Sequence, residues 1–359
     1  MITIYRKNYG AFLQAYALQQ SLIKCGFCPE IIRYDYYKDH TIFEVPFASH
    51  TSFKTILKAA IVETVRFVSH RKRQIIFDKS IKKNLIEGKE YFKTYKKLEE
   101  NPPQYDAYLV GSDQVFNGAI SPQALPARLL LFVNNNGIKA SYAASAGKNY
   151  IQKEYEDKIQ NALMSFNHLS VREEGLSYFL KEKYEIESSV HIDPVFLLSK
   201  DEWDSFSEPI DYLPDKYIFY YRVLPQKELN ELTEKMSREL GIPVFVADGH
   251  DKFSNMIKRK GFLSPEQWVY AISHATHVIT NSFHGTSFAL NFKKSLSVLV
   301  PPTGGERVLN ILQKTDLKNL IANDTFSNDL NVYESASDYI EKEKKRSLSY
   351  LLKMFDANF

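Results

Sequence analysis

Short apolar runs rich in β-branched and aromatic residues alternate along most of the chain with stretches of helical spacing. This is the pattern of parallel sheets joined by crossover helices, so the class it predicts is α/β. In the first half it places strands over residues 2–5, 31–34, 107–110, 139–143, 169–171 and 190–192. Helical spacing marks Phe12, Leu13, Tyr16, Leu18 and Leu22, and recurs over 155–166 and 175–183. A Pro- and Asp-bearing stretch over 208–214 reads as a linker. A second series follows, with strands over 217–221, 244–246, 277–280 and 296–300 and helices over 228–240, 265–274, 285–291 and 307–312. The tail, 333–353, reads as one more helix. The organisation expected is therefore a domain over 1–207, a second over 215–332, and a closing helical segment over 333–359.

One stretch interrupts the alternation. Residues 54–97 are helical in composition, carry 13 Lys and Arg with far fewer acidic residues, and read as an inserted helical pair. The plain reading is a solvated basic face. The sharper one is peripheral contact with anionic headgroups or with a pyrophosphate-linked acceptor.

Composition narrows the function classes. The chain has 359 residues, enough for two domains with real cores, and its formal charge of +3 is too small to mark a nucleic-acid binder. Two cysteines cannot staple a secreted scaffold of this size. There is no charged leader with an apolar run behind it and no membrane-length apolar stretch, so a cytoplasmic protein is expected. Cys25 and Cys28 have redox spacing, but Cys25 falls at the end of a predicted helix, where the dipole disfavours a thiolate. His274 and His277 have no nearby carboxylate pair, and no metal site is expected. The glycines form neither a dinucleotide fingerprint nor a P-loop, and no cofactor is expected.

Three segments carry polar groups at the carboxyl ends of predicted strands, where open α/β sheets bind ligands. After 107–110, Gly111 permits a tight turn and Asp113 with Gln114 is presented at the sheet edge. After 277–280 come Asn281, Ser282, His284, Thr286 and Ser287, with a helix start at Gly285 suited to an anion and an imidazole suited to proton transfer. After 169–171 stands Arg172, and Asp193-Pro194 closes the next strand. Each has a bland reading as well: a capping Asp, a core His, a surface ion pair.

Six segments occur in the order and spacing of one family. They are Asn8-Tyr-Gly-Ala-Phe-Leu-Gln-Ala-Tyr-Ala-Leu-Gln19, Val110-Gly-Ser-Asp-Gln-Val-Phe-Asn117, Ser141-Tyr-Ala-Ala-Ser-Ala-Gly147, Val171-Arg-Glu-Glu174, Ile192-Asp-Pro194 and Thr280-Asn-Ser-Phe-His-Gly285. Over roughly residues 2 to 320 the chain resembles the polysaccharide pyruvyl transferases. The resemblance implies a glycosyltransferase-B type fold, two Rossmann-like domains facing a cleft with a C-terminal helix returning to the first. It also implies transfer of pyruvate from phosphoenolpyruvate to a sugar of a capsule, exopolysaccharide or cell-wall glycan, or its lipid-linked precursor, as a ketal. Carried over by position, it puts Asp113, Arg172, Asp193 and His284 in the cleft. Arg307 stands where some members carry a basic residue, and Ser282 where many have Arg. Lys148 or Arg307 is then expected to supply the missing cation. The amino end leaves little room for a first strand and turn, so the sequence is expected to begin a few residues late.

On this reading His284 is the acid/base, with Asp113 and Asp193 positioning or deprotonating sugar hydroxyls. Arg172, Arg307, Ser282, Gly285, Thr286 and Lys148 hold the donor, and Asn8, Tyr9, Gln14, Asp113 and Gln114 face the acceptor. The competing readings are a nucleotide-sugar glycosyltransferase of the same architecture and, further off, a non-catalytic protein that binds polyanions or a membrane surface.

Overall fold

The computed structural model describes residues 1–6, 8–34, 53–134, 137–249, 251–322, 324, 326 and 330–354, with side chains of the helix starting at Phe53 described from Val68. The side chains of 54–67, the first part of the basic segment, and residues 355–359 of the expected tail helix lie outside the described residues.

Among the described residues ten strands are formed: β1 (Ile31–Tyr34), β2 (Glu87–Phe92), β3 (Ala107–Val110), β4 (Ile138–Ser141), β5 (Ser170–Val171), β6 (Ser189–Val190), β7 (Ile218–Tyr221), β8 (Val244–Val246), β9 (His277–Thr280) and β10 (Ser295–Val298). All their pairings are parallel. In the N-terminal half, Met1 O accepts from Ile32 N at 2.8 Å, and Ile2 bridges Val110. Further bridges, Ala140 to His168 and Ala144 to Val171, join β4 to β5. The resulting order is β2, β1, residues 1–5, β3, β4, β5, β6. In the C-terminal half β8, β7, β9 and β10 are flanked by bridges from Val244 to Met256 and from Val298 to Ile321. Both halves start in the middle of their sheet, build outward to one side, then cross over and build to the other. That is the doubly wound order, and it creates a crevice at the carboxyl ends where the direction reverses. One crevice lies between residues 1–5 and β3, the other between β7 and β9.

The expected first strand over 2–5 is reduced to the single bridge at Ile2. Gln14 contributes: its buried amide donates to Ile4 O at 2.7 Å, so a side chain takes one backbone acceptor of this segment, and it also contacts Ala11 O at 2.8 Å and Thr3 Oγ1 at 3.1 Å. The expected helical pair over 54–97 is instead one helix, Phe53–Asn84, followed by β2 at the sheet edge and a short helix, Tyr95–Glu100. The polar Glu87-Gly-Lys-Glu-Tyr-Phe92 hides a strand because an edge strand buries little; only Gly88 and Phe92 are buried.

That long helix also leans on the C-terminal half. Phe77 and Ile81 are buried in a shared core. Arg73 donates to Asp248 at 2.9 Å, and Ser80 and Asn84 donate to the Glu266 carboxylate at 2.7 and 2.6 Å. Aromatic rings fill the rest of the junction: Tyr9 stacks on Trp268 at 5.8 Å, which meets Phe288 at 5.3 Å, which in turn meets Trp203 at 4.8 Å. A junction this apolar fixes the two halves against each other. The last helix, Glu334–Lys353, returns to the first half, with Tyr350 OH donating to Ser141 O at 3.0 Å and the His191 ring 4.4 Å from that of Tyr350. Among the described residues no helix is long and apolar enough to cross a membrane.

Two histidines are structural. His277 engages the Ser295 and Ser297 hydroxyls at 2.8 and 2.9 Å, His191 that of Ser347 at 3.1 Å, and burial pushes both down to about 4. Only the neutral rings suit these places, whereas the unfolded chain takes up protons below about pH 6.5. Stability is therefore whole above that pH and falls as the pH drops toward about 4. Urea unfolding near pH 5 should give a stability lower than near pH 7 by about 2 kcal/mol for each histidine; a flat profile would contradict the assignment.

Candidate active site

The two crevices face each other across a cavity of about 390 Å³, lined by Asn8, Asp113, Gln114, Gly147 and Lys148 from the first half and by Asn281, Ser282, Phe283, His284 and Arg307 from the second, among others. Each side is fixed by its local sequence. Asn8 caps the helix Tyr9–Lys24 by accepting from Ala11 N at 3.3 Å. Asp113 follows β3 with φ +68°, a left-handed turn that Asp tolerates, and its backbone continues the sheet by accepting from Ser145 N at 2.9 Å. After β9, Asn281 accepts from Val223 N at 2.9 Å and donates to Leu224 O at 2.8 Å, tying the β9 turn to the loop behind β7. Ser282 then caps the helix Phe283–Asn291, accepting from Gly285 N at 3.3 Å.

Six charged or titratable groups meet behind this cavity, from the carboxyl ends of β3, β5, β6 and β9 and the helix Glu306–Lys314 after β10: Asp113, His284 and Arg307 line the cavity itself, while Arg172, Glu173 and Asp193 line, with Arg307, an adjoining chamber of about 40 Å³. Arg172 is buried, with Nη1 2.5 Å from Asp193 Oδ2, Nε 3.3 Å from Glu173 Oε1 and Nη2 3.8 Å from Asp113 Oδ1. Arg307 Nη1 lies 3.4 Å from that same Asp113 oxygen. His284 Nε2 lies 3.8 Å from Asp193 Oδ2, so one carboxylate oxygen stands between guanidinium and imidazole. Asp193 is further fixed by Val195 N, which donates to Oδ1 at 3.1 Å.

The electrostatics follow from this packing. Burial lowers the His284 pKa below the usual imidazole value; Asp193 and Asp113 pull it up, Arg172 and Arg307 push it down, and the net is a ring that favours neutrality. Burial would raise the Asp113 carboxyl, but Arg172 and Arg307 outweigh it and hold the group below the ordinary carboxylate range. Arg307 is lowered, by burial first and then by the like charge of Arg172.

Not every expected residue is here. Tyr9 points away from the cavity, its OH donating to Leu263 O at 3.0 Å, and Gln14 is spent on the first strand. Gly285 does not offer its N-H to a ligand, since Ser282 Oγ takes it, and Ser282 N donates to Thr280 Oγ1 at 3.0 Å. Glycine is required at 285 for contact instead: a Cβ would lie 2.4 Å from Thr280 Oγ1. Thr286 bonds back to Ser282 O at 3.0 Å. Lys148 is exposed at the rim, its ammonium 3.0 Å from Tyr150 OH. Sequence reasoning missed three participants. Glu173, next to Arg172, also accepts from Ser145 Oγ at 2.6 Å; Phe283 lies beside both guanidiniums; Gly10 presses on the catalytic candidate, with the place of a Cβ only 2.1 Å from His284 Nδ1. The signals were present as a second acid after Arg172, an apolar residue in a polar run, and a glycine in the first turn of a helix.

Comparison with known proteins decides the family. The model of the polysaccharide pyruvyl transferase family matches residues 8–299. The chain belongs to that family. A pyruvyl transferase of this kind implies a sugar or polysaccharide acceptor and a role in polysaccharide biosynthesis. Among solved structures, this transferase is similar to one from Listeria monocytogenes described as a UDP-N-acetylglucosamine 2-epimerase, at TM-score 0.51 and 12% identity over 98% of this chain and 90% of that one. A second, a UDP-GlcNAc 2-epimerase from Neisseria meningitidis bound to UDP-GlcNAc, gives 0.46 and 12% over 97% and 92%. At such identity the first likeness speaks for the fold alone, two Rossmann-like domains facing a cleft in the glycosyltransferase-B manner. No curated protein matches the transferase's sequence significantly.

Replacing Gly10 by Ala should force the His284 ring out of place at a cost of about 1–3 kcal/mol in stability and cut transfer by about 100-fold. Wild-type turnover of this variant would show that the ring position does not matter.

Proposed function

We propose that the transferase moves pyruvate from phosphoenolpyruvate to a pair of sugar hydroxyls as a cyclic ketal, with His284 as acid/base. One observation carries the reading: four buried polar atoms without a hydrogen-bond partner among the described residues, His284 Nε2, Arg172 Nη2, Arg307 Nε and Glu173 Oε2, belong to this one cluster. Native proteins rarely leave such atoms unsatisfied, and a cluster of them supports a small polar ligand with acceptors for two guanidiniums. A phosphate and a carboxylate on three carbons meet that description.

Charge sharpens the chemistry. Two guanidiniums face the carboxylates of Asp113, Asp193 and Glu173, so with His284 neutral the cluster already carries one excess negative charge. An arriving polyanion competes with Asp113 for both arginines and raises the proton affinity of His284. The imidazole is thereby loaded as an acid when the donor is in place. Protonation of the enol carbon turns CH₂ into CH₃ and generates an oxocarbenium-like centre, which one sugar hydroxyl attacks as it loses its proton. The C–O bond to phosphate then breaks while the second hydroxyl attacks. The first hydroxyl proton restores the acid and the second leaves on hydrogen phosphate, so the exchange is balanced without a redox partner. Asp113, which lines the cavity with Gln114 and Asn8, orients the acceptor hydroxyls on this reading, and the N-terminal half is then the acceptor side.

The acceptor we favour is lipid-linked. The exposed side chains of Arg71, Lys72, Lys79 and Lys82 on the long helix support a cationic face that would meet anionic headgroups from the inner side of a membrane.

Incubation with a panel of donors and candidate acceptors, read by mass and by phosphate release, should give a pyruvyl ketal only with phosphoenolpyruvate. His284→Gln should abolish the product, by about 1000-fold or more, and keep the fold. Turnover of a nucleotide sugar but not of phosphoenolpyruvate would contradict the proposal.

A further inference from the structure

Phe283 lies against three of the groups in the donor cluster. Arg172 Cζ stands 4.9 Å and Arg307 Cζ 5.7 Å from its ring centroid, and the His284 ring is 5.2 Å away at 78°. The residue is 9% exposed and lines both the cleft cavity and a smaller chamber of about 40 Å³, which is lined also by Arg172, Asp193, Arg307 and Lys314. Two like charges desolvated side by side repel, and each needs a compensating contact. Carboxylates supply part of it, but a carboxylate occupies guanidinium N-H groups that an anion would want. An aromatic face attracts the flat side of a guanidinium and leaves the N-H edge free. Arg172 Nη2, in ion-pair range of Asp113 at 3.8 Å but without a hydrogen bond, and Arg307 Nε, also without one, are such edges.

Resting on the donor reading above, we propose that Phe283 is a positioning residue: its ring holds Arg172 of one domain and Arg307 of the other at the spacing that receives the donor's two anionic groups. An aliphatic side chain of similar volume keeps the packing and loses the attraction. A flat ring with a hydroxyl keeps both.

Titration with phosphoenolpyruvate, and separately with inorganic phosphate as a simple dianion, tests this on the wild type, Phe283→Leu and Phe283→Tyr. The Leu variant should weaken donor binding and raise its KM about tenfold with kcat within about threefold, and Tyr should restore the wild-type KM to within about threefold. In an Arg307→Met background the Leu penalty should shrink, because one of the two cations is gone. A wild-type KM in the Leu variant, a loss confined to kcat, or an undiminished penalty in the Arg307→Met background would overturn the proposal. Should the Leu variant fail to fold, Phe283→Met, flexible and without a ring, reads the same quantity. Binding of phosphate but not of phosphoenolpyruvate by the wild type would remove the donor reading while leaving the ring's role to the phosphate titration. Binding of neither would remove both.

Discussion

A buried guanidinium must be answered by charges fixed around it, and the whole site is arranged about that requirement at Arg172. The side chain leaves the end of a two-residue strand in a place where burial alone would lower its pKa. Glu173, Asp193 and Asp113 hold it protonated, well above its ordinary pKa. Each carboxylate is in turn fixed by something else: Glu173 by Ser145, Asp193 by the backbone at Val195, Asp113 by Arg307 from the other half of the molecule. Removing Arg172 would leave a nest of uncompensated acids. Keeping it makes a rigid frame in which one Asp193 oxygen also faces His284.

The imidazole reaches that frame only because the two halves do not drift. Its ring lies against Gly10 in the first turn of the opening helix, a contact that admits no side chain at position 10. Tyr9 beside it is locked into the aromatic junction with Trp268, and the long helix with Arg73, Ser80 and Asn84 ties down the far side. The proposed chemistry, which draws an acid from one domain and cations from both, depends on this fixed alignment. A misplacement of about 1 Å is enough to cost two orders of magnitude in rate.

Much of this was legible in the chain. Polar residues following short apolar runs marked Asp113, Arg172, Asp193 and His284, because doubly wound sheets expose the carboxyl ends of their strands to ligands. Their convergence on one another was not readable, since it depends on two crevices turned face to face. Tyr9 and Gln14 sit in the same motif as Asn8, yet helical rotation sends them into packing, and proximity in sequence misassigned them. Gly285 was read as an anion cradle, whereas its neighbours' hydroxyls had already taken the N-H groups. Phe283 escaped notice because an apolar letter in a polar run suggests packing and says nothing of the two cations lying over it. The strand β2 was hidden by its edge position, where polar residues are the rule.

On the function proposed above, a doubly anionic three-carbon donor is held between Arg172 and Arg307 within reach of His284. A crystal structure of the wild-type transferase with phosphoenolpyruvate bound tests it most directly. The account predicts phosphate and carboxylate oxygens within about 3 Å of both guanidiniums and the enol carbon facing the imidazole. A donor bound elsewhere in the molecule, with Asp113 still bridging the two arginines, would contradict it.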